Sequence, residues 1–246
     1  MVDIYPVKFS KARLDTAPED ERLFHLIAGQ LANDINCLGK LSILIMNPVG
    51  GHQLNDLANT MMAISLIKVL AGKTNEGWKL IEKHSALFKR YRNDLSPDAI
   101  NKLKEIKKYF NKQPNVIYEI RNKLSFHLDV NNLQRGYASF SSEEVFVDYL
   151  SVFTGHCIYY SSEIITIMSM VKMVKTDDWK EALLQIFGEV TRVSSWMGDF
   201  ILDFMRVFME KYITIDLYDI EKDKIIVEDG PDIYSVKIPF FCSPPK

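Results

Sequence analysis

The feature that most constrains this chain is the recurrence of apolar residues three and four positions apart over most of its length. The clearest series consists of Leu23, Leu26, Ile27, Leu31, Ile35, Leu38, Leu41 and Leu44. This spacing predicts an α-helix with one apolar face, and the acids at positions 19–21 favour its positive N-terminal end. We therefore predict a long helix from Glu19 to about Asn47, where N-P-V-G-G is a strong turn signal.

The same periodicity predicts several more helices, and the fold class is therefore all-α, a bundle of about six to seven helices. Their predicted ranges are 54–70 with an end at Gly72, then 74–91, 96–110, 117–128, 142–175 and 177–211. The polar segment 129–142 is predicted to be a loop.

The two ends of the chain lack this helical period. Residues 1–18 are predicted to form an extended lead-in before the helical bundle at 19–211. In 212–246 short alternating runs predict a small β-meander packed on the bundle, with strands at 212–218, 225–227 and 234–238. Three short strands are marginal alone, so they are expected to pack on the helices or pair with another chain.

The charge distribution bears on possible partners. The 246-residue chain is 47% hydrophobic with a formal net charge of −2, so no overall field drives it onto nucleic acid or membrane. Residues 68–112 nevertheless hold twelve Lys or Arg against five acids, and residues 177–232 hold fourteen acids against six bases. This asymmetry fits a basic groove and an acidic partner or dimer surface, or simply two solvated faces.

Cysteine spacing and hydropathy favour a cytoplasmic protein. Cys37, Cys157 and Cys242 are far apart and match no zinc or disulfide pattern, so we predict no metal and no cofactor. The N-terminus lacks the apolar core of a signal peptide. The apolar stretch 149–171 contains Glu163, His156 and several Ser or Thr residues, which favours a buried helix over a membrane span.

One short stretch, 117–128, contains side chains that are suited to acid–base catalysis. Its sequence is I-Y-E-I-R-N-K-L-S-F-H-L. On an α-helical wheel Arg121 lies on one edge of the apolar stripe, His127 lies on the other edge, and Asn122 points away. The Arg and His tips of one helix therefore do not meet. They would converge if the stripe packed against a second copy, so the geometry favours a homodimer through this helix and a composite site.

The sequence I-R-N-K-L-S-F-H resembles the signature of HEPN domains, a family of helical RNases and nucleotide-associated modules. The resemblance covers residues 121–127 as a motif and roughly 20–210 as an architecture. It implies a usually dimeric, metal-independent endoribonuclease, often a toxin or phage-defence component, with Arg121, Asn122 and His127 as catalytic residues. Some toxin members have a tyrosine two residues after the histidine, whereas this chain has Asp129.

The residue types suit RNA cleavage by its own 2′-hydroxyl. His127 can move a proton near neutral pH, and Arg121 can stabilise the charge of the phosphorane. Five further basic residues are predicted to hold the RNA backbone: Lys123, Arg90, Arg92, Lys107 and Lys108.

Two alternatives remain open. The chain can be a non-catalytic HEPN-like module that binds nucleotide or protein, or a helical interaction protein whose motif arises by chance. An antitoxin or regulatory protein is a further possible partner. His156 and Glu163, seven residues apart, are predicted to share one helix face as buried polar residues rather than as a ligand pair.

Overall fold

A computed structural model describes residues 2–47, 49–125, 129–174, 176, 178–213, 224–228 and 230–242. The fold is mostly helical, as predicted, with a small two-stranded sheet. The α-helices in these ranges are α1 Lys11–Leu14, α2 Glu19–Met46, α3 Gln53–Lys83, α4 Ser85–Arg90, α5 Pro97–Asn111, α6 Val116–Ile120, α7 Val130–Tyr137, α8 Tyr160–Val171 and α9 Trp179–Tyr212. The strands are β1 Val2–Ile4 and β2 Ile225–Val227. The described residues thus hold nine helices, more than the six to seven predicted.

The long helix α2 confirms the first prediction. It begins at Glu19 and ends at Met46, with three acids in its first turn. The turn that follows is also confirmed, because Gly50 and Gly51 have φ values of 77° and 86° that favour glycine.

Helices α5 and α9 were predicted at nearly their observed bounds. The Ser96 hydroxyl accepts a hydrogen bond from the Ala99 amide, and Pro97 occupies the first turn of α5. Asp178 caps α9 in the same way. The apolar face of α9 forms much of the core with α2 and α3, and Phe200, Phe204 and Phe208 are fully buried there.

The predicted helix end at Gly72 is wrong, because α3 runs without a break from Gln53 to Lys83. Gly72 is buried, and a Cβ atom at the nearby Gly77 would lie 2.3 Å from Met197 Sδ. Thr74 between them places its hydroxyl 2.6 Å from the Ser194 hydroxyl on α9. Gly77 lets α3 approach Leu31 on α2 and Met197 on α9 closely, and such packing outweighs the low helix propensity of glycine.

The predicted loop at 129–142 contains helix α7, so that prediction is wrong. Asp129 caps α7 by accepting from the amides of Asn131 and Asn132. A Cβ atom on Gly136 would lie 2.4 Å from the Ile165 carbonyl oxygen, so this glycine allows α7 to pack closely on α8. Tertiary contact thus stabilises a segment whose composition resembles a loop.

The helix predicted at 142–175 is wrong over its first half. Residues 143–153 are not helical, Tyr149 and Ile158 form an isolated β-bridge, and a 3-10 turn covers Thr154–His156. Helix α8 begins only at Tyr160, beside the Asp148 carboxylate, which accepts from the Ser161 amide. His156 and Glu163 therefore do not share a helix face.

The predicted β-meander is also wrong. Strand β2 confirms residues 225–227 as a strand, but it pairs antiparallel with β1, in the register Val2↔Val227 and Ile4↔Ile225. Of the strand predicted at 234–238, residues 234 and 235 lie in a turn and 236–238 form no strand, and residues 214–218 lie outside the described residues. The C-terminal segment is held by Asn47, whose Nδ2 donates to the carbonyls of Ile233 and Val236.

The predicted lead-in is extended at β1, but Lys11–Leu14 form the one-turn helix α1, so it is not extended throughout. Across the described ranges, α3 alone has the length and apolar composition to cross a membrane. Its most apolar window is 39% buried, and core helices of soluble proteins satisfy the same criterion.

Candidate functional site

One regular helix was predicted for 117–128, but the segment that contains Arg121 departs from it. Helix α6 ends at Ile120, and Arg121–Ser125 form a π-helical turn. The Ser125 hydroxyl lies 2.6 Å from the Lys68 carbonyl on α3 and 3.2 Å from the Ile120 carbonyl. An α-helical wheel therefore does not give the directions of side chains beyond Ile120. Short π-helical turns occur frequently at functional sites.

The start of α6 is fixed by two neighbouring side chains. The Asn115 side-chain Oδ1 accepts from the Tyr118 amide, and the Tyr109 hydroxyl accepts from the Ile117 amide. Tyr109 itself donates to Glu189 on α9. These contacts join α6 to α5 and α9, so the position of the turn that follows is set by the core.

The apolar stripe of this segment is buried within its own chain. Ile117 and Ile120 are fully buried and Leu124 is 8% exposed, all in the core shared with α3 and α9. The described part of this stripe is therefore not free to pack on a second copy, and Leu128 lies outside the described residues. Dimerisation through the 117–128 segment stays a prediction.

Arg121 and Asn122 are in direct contact, although the wheel placed them apart. Nη1 of Arg121 donates to Oδ1 of Asn122 at 2.8 Å. The other side of the guanidinium faces Glu76 on α3, with Nε and Nη2 at 3.3 and 3.2 Å from Oε1. Because 26% of the Arg121 side chain is exposed, a ligand can still reach it.

Glu76 is shared between two cations. Lys79 Nζ lies 2.9 Å from the oxygen that Arg121 also contacts. Partial burial works to raise the pKa of Glu76, but Lys79 and Arg121 outweigh it and hold that pKa below its ordinary value. Glu76 is therefore ionised at neutral pH and occupies one edge of the Arg121 guanidinium.

The other described residues predicted for the site have surroundings of their own. Lys123 pairs with Glu119 one turn earlier. Arg90 contacts Asp20 and Glu21 at the start of α2, and Arg92 is exposed just after α4. On α5, Lys107 is half-buried and Lys108 is exposed, 3.9 Å from Glu105. His127 lies outside the described residues.

Sequence reasoning missed a groove beside Arg121. This cavity of about 380 Å³ lies between α2 and α3 and is lined by Glu76 and by three lysines on α3: Lys73, Lys79 and Lys83. Lys73 lies 2.7 Å from Asp34 across the groove. The positions 73, 76, 79 and 83 share one face of a continuous helix, a signal that is visible once α3 is not divided at Gly72.

Two other polar residues considered in the sequence have structural surroundings. The His156 ring lies between Phe153 and Phe241 and accepts from the Cys242 amide. Glu163 on α8 has one carboxylate oxygen buried without a hydrogen-bond partner in the described structure, and burial raises its pKa although Lys68 opposes this. Within the described ranges no group of three His, Cys, Asp or Glu side chains could hold a metal ion.

His25 is a core histidine and leads to a prediction about pH. Its ring stacks on Phe208 at 4.1 Å, its Nδ1 is buried without a partner in the described structure, and burial lowers its pKa below the ordinary 6.5. The unfolded chain then binds more protons than the native one as pH falls below 6.5, so the His25 contribution to stability is complete above that pH and is lost below it. We expect His25→Phe to flatten the fall in urea midpoint between about pH 7 and 5.

The control for this prediction is Leu23→Phe, because Leu23 is an exposed residue of the same helix and carries no titratable group. This variant should keep the pH slope of the wild type. An unchanged slope in His25→Phe would contradict the assignment.

Comparison of the chain with models of protein families, with curated proteins and with solved structures gives no match in any of the three.

Proposed function

We propose that this chain is a metal-independent endoribonuclease of the HEPN type, with Arg121, Asn122 and His127 acting on the phosphodiester. The observation that carries the proposal is the contact between Arg121 and Asn122 on a π-helical turn that is anchored to the core. A fixed cation with an adjacent amide, partly open to solvent, suits a phosphate oxygen. The catalytic role proposed for His127 is supported by the sequence motif alone.

The proposed reaction is an internal transesterification. The 2′-oxygen attacks the phosphorus, and the bond from phosphorus to the 5′-oxygen breaks. His127 takes the proton of the 2′-hydroxyl and then gives it to the departing 5′-oxygen, because an imidazole changes charge near neutral pH. Arg121 donates to the phosphorane oxygens, and the products are a 2′,3′-cyclic phosphate and a 5′-hydroxyl.

The groove beside Arg121 supplies a path for the RNA backbone. The lysines at 73, 79 and 83 lie along α3 next to Glu76, the residue that holds Arg121. A phosphate that enters must displace the Glu76 carboxylate from the guanidinium. Lys123 borders the same turn, while Arg90 serves the fold through its contacts with α2.

A homodimer is part of the proposal, with the cytoplasm as its location and a role in phage defence or a toxin system. The segment 143–153 offers a surface for a protein partner, because Val145, Leu150 and Val152 are 80%, 75% and 94% exposed. Exposed apolar side chains in one segment are typical of interaction sites. A second copy, an antitoxin or a regulatory protein are the candidates for this surface.

The second candidate function is a non-catalytic module that binds nucleotide or protein. It is favoured by the ion pair between Arg121 and Glu76, which gives the arginine a structural role, and by the same exposed segment. The two functions differ in whether RNA is cut.

The decisive experiment is an RNA cleavage assay in EDTA with analysis of the ends. We expect cleavage that survives EDTA, 2′,3′-cyclic phosphate ends, and loss of activity in His127→Ala with an unchanged unfolding midpoint. Sedimentation of the same sample shows whether the active species is a dimer. Equal cleavage by the wild type and His127→Ala would contradict the assignment, and absence of cleavage with measurable nucleotide binding would favour the second function.

A further inference from the structure

Residues 144–151, the edge segment, lie extended at the surface before α8 and contain no helix, turn or bend. Tyr149 exchanges two backbone hydrogen bonds with Ile158, at 2.8 and 2.7 Å, and Ile158 is fully buried. The Phe146 ring packs edge-to-face on Phe140, with the ring centres 5.1 Å apart. Contacts within its own chain therefore hold the edge segment in a strand-like conformation.

One side of the edge segment has no backbone partner in the described part of the chain. Tyr149 directs both its amide and its carbonyl to Ile158, and successive residues of an extended chain direct these groups to opposite sides. The amides and carbonyls of Asp148 and Leu150 therefore point away from Ile158, and none of them has a backbone hydrogen bond to a described residue. Such a row of free donors and acceptors is a template for pairing with another strand.

The edge segment also exposes apolar side chains. Val145, Val147 and Leu150 are 80%, 44% and 75% exposed. Exposed apolar side chains beside a free strand edge favour association, and together they mark a surface that a partner covers. An extended peptide that pairs with such an edge forms backbone hydrogen bonds and contacts these side chains at the same time.

The charges around the edge segment decide between partners. Glu143, Glu144 and Asp148 are exposed, and none of them forms an ion pair with a described residue. Residues 136–171 contain no Lys or Arg. A second copy would bring the same acids together and RNA would be repelled, whereas the Lys or Arg side chains of a peptide would be attracted.

We propose that the edge segment binds an extended, basic peptide segment of a partner protein by β-strand addition. The peptide backbone pairs with Asp148 and Leu150, its apolar side chains contact Val145 and Val147, and its Lys or Arg side chains pair with the nearby acids. Because the edge segment is already extended, its side of the complex needs little ordering on binding. This inference specifies the partner surface of the proposed function and does not depend on RNA cleavage.

The test is fluorescence anisotropy of the full chain with a labelled peptide of sequence K-V-R-V-T-V-K. We expect saturable binding of this peptide below millimolar concentration. A second peptide with Glu in place of each Lys and Arg has the same apolar residues and the same length. It should bind about tenfold more weakly or less, because like charges would face the acids of the edge segment.

Two variants of the chain separate backbone pairing from charge. Leu150→Pro removes one amide from the free side and should weaken the basic peptide about tenfold. Its unfolding midpoint should stay near that of the wild type, because Leu150 is 75% exposed and its amide has no backbone partner in the described ranges. Glu143→Lys together with Glu144→Lys should also weaken binding. The control is Glu82→Lys together with Glu105→Lys, an equal change of charge at exposed acids on α3 and α5, which should bind like the wild type.

Three results of the titrations would overturn the proposal: binding of the basic peptide that neither Leu150→Pro nor the charge reversal weakens, equal or tighter binding of the acidic peptide, or no binding at millimolar concentration. A dimer in sedimentation that Leu150→Pro dissociates would overturn it as well, because a second copy would then occupy the edge segment. Peptide binding by a chain that cuts no RNA would support this proposal and contradict only the RNase assignment.

Discussion

Replacing Arg121 with alanine is expected to lower kcat/KM for RNA cleavage by roughly 100- to 1,000-fold, the usual effect of removing one donor to a transition-state oxyanion. Arg121→Lys should recover only part of this loss, because an ammonium keeps the charge but not the planar fork of donors. The measurement is cleavage of a labelled RNA under single-turnover conditions. Arg206→Ala is the matched control, since Arg206 is also an ion-paired arginine, bonded to Asp203 and Glu210 on α9.

Glu76→Gln should change the same reaction in the opposite direction. The carboxylate that lies 3.2 Å from Arg121 Nη2 is ionised, so in the proposed site it would compete with phosphate for the guanidinium and repel RNA. Its removal should tighten RNA binding several-fold and, because it frees Arg121 to contact a phosphate, should make binding more dependent on salt concentration. Unchanged cleavage in Arg121→Ala would contradict the catalytic role. Loss of stability in Glu76→Gln with no gain in RNA binding would indicate that the ion pair serves the fold alone.

The parts of the fold that sequence reasoning predicted correctly are those with strong local signals. In α2 and α9 an apolar face repeats over many turns, and α5 adds a serine cap with proline in its first turn. Each signal lies within the helix that it specifies. Such segments form the helix in almost any tertiary context, so their ends can be predicted.

The failures arose where distant contacts decide the structure. Gly72 resembles a helix end locally, yet the close approach of α3 to its neighbours keeps the helix continuous. Helix α7 depends on Gly136 meeting the backbone of α8 at Ile165, which no local pattern reveals. Strand β2 was found, but its partner is a strand 221 to 225 residues earlier rather than a neighbouring run.

Only part of the candidate site could be predicted from the sequence. Arg121 and Asn122 were found through the motif, but their mutual contact follows from a π-helical turn that a wheel with 100° steps does not represent. Glu76 and the lysines beside it were missed because the prediction divided α3 at Gly72. A continuous helix would have placed positions 73, 76, 79 and 83 on one face.

A buried carboxylate at the start of α2 leads to the largest expected effect on stability. Glu21 in the first turn of α2 is 4% exposed, and its Oε2 accepts from the hydroxyls of Tyr91 and Tyr212 at 2.5 and 2.7 Å. Arg90 reaches Oε1 at 3.3 Å. Burial, together with the Glu21 carboxylate, raises the pKa of Tyr91, so its hydroxyl keeps the proton that it donates. This cluster joins α2 to α9 and to the segment after α4.

Glu21→Ala should therefore destabilise the fold by about 3 kcal/mol or more, because it removes the acceptor of two buried hydroxyls and the partner of a cation. Glu21→Gln keeps the shape and one acceptor, so it should cost less. Urea unfolding measures both, with Glu19→Ala as the matched control, since Glu19 is an exposed acid in the same helical turn and should contribute below about 1 kcal/mol. Equal effects of Glu21→Ala and Glu19→Ala would contradict the structural role of the cluster. The variant Arg90→Ala distinguishes a structural role of Arg90 from a role in RNA binding. The contacts of Arg90 with Asp20 and Glu21 predict a loss of stability. A role in RNA binding predicts weaker RNA binding at an unchanged unfolding midpoint.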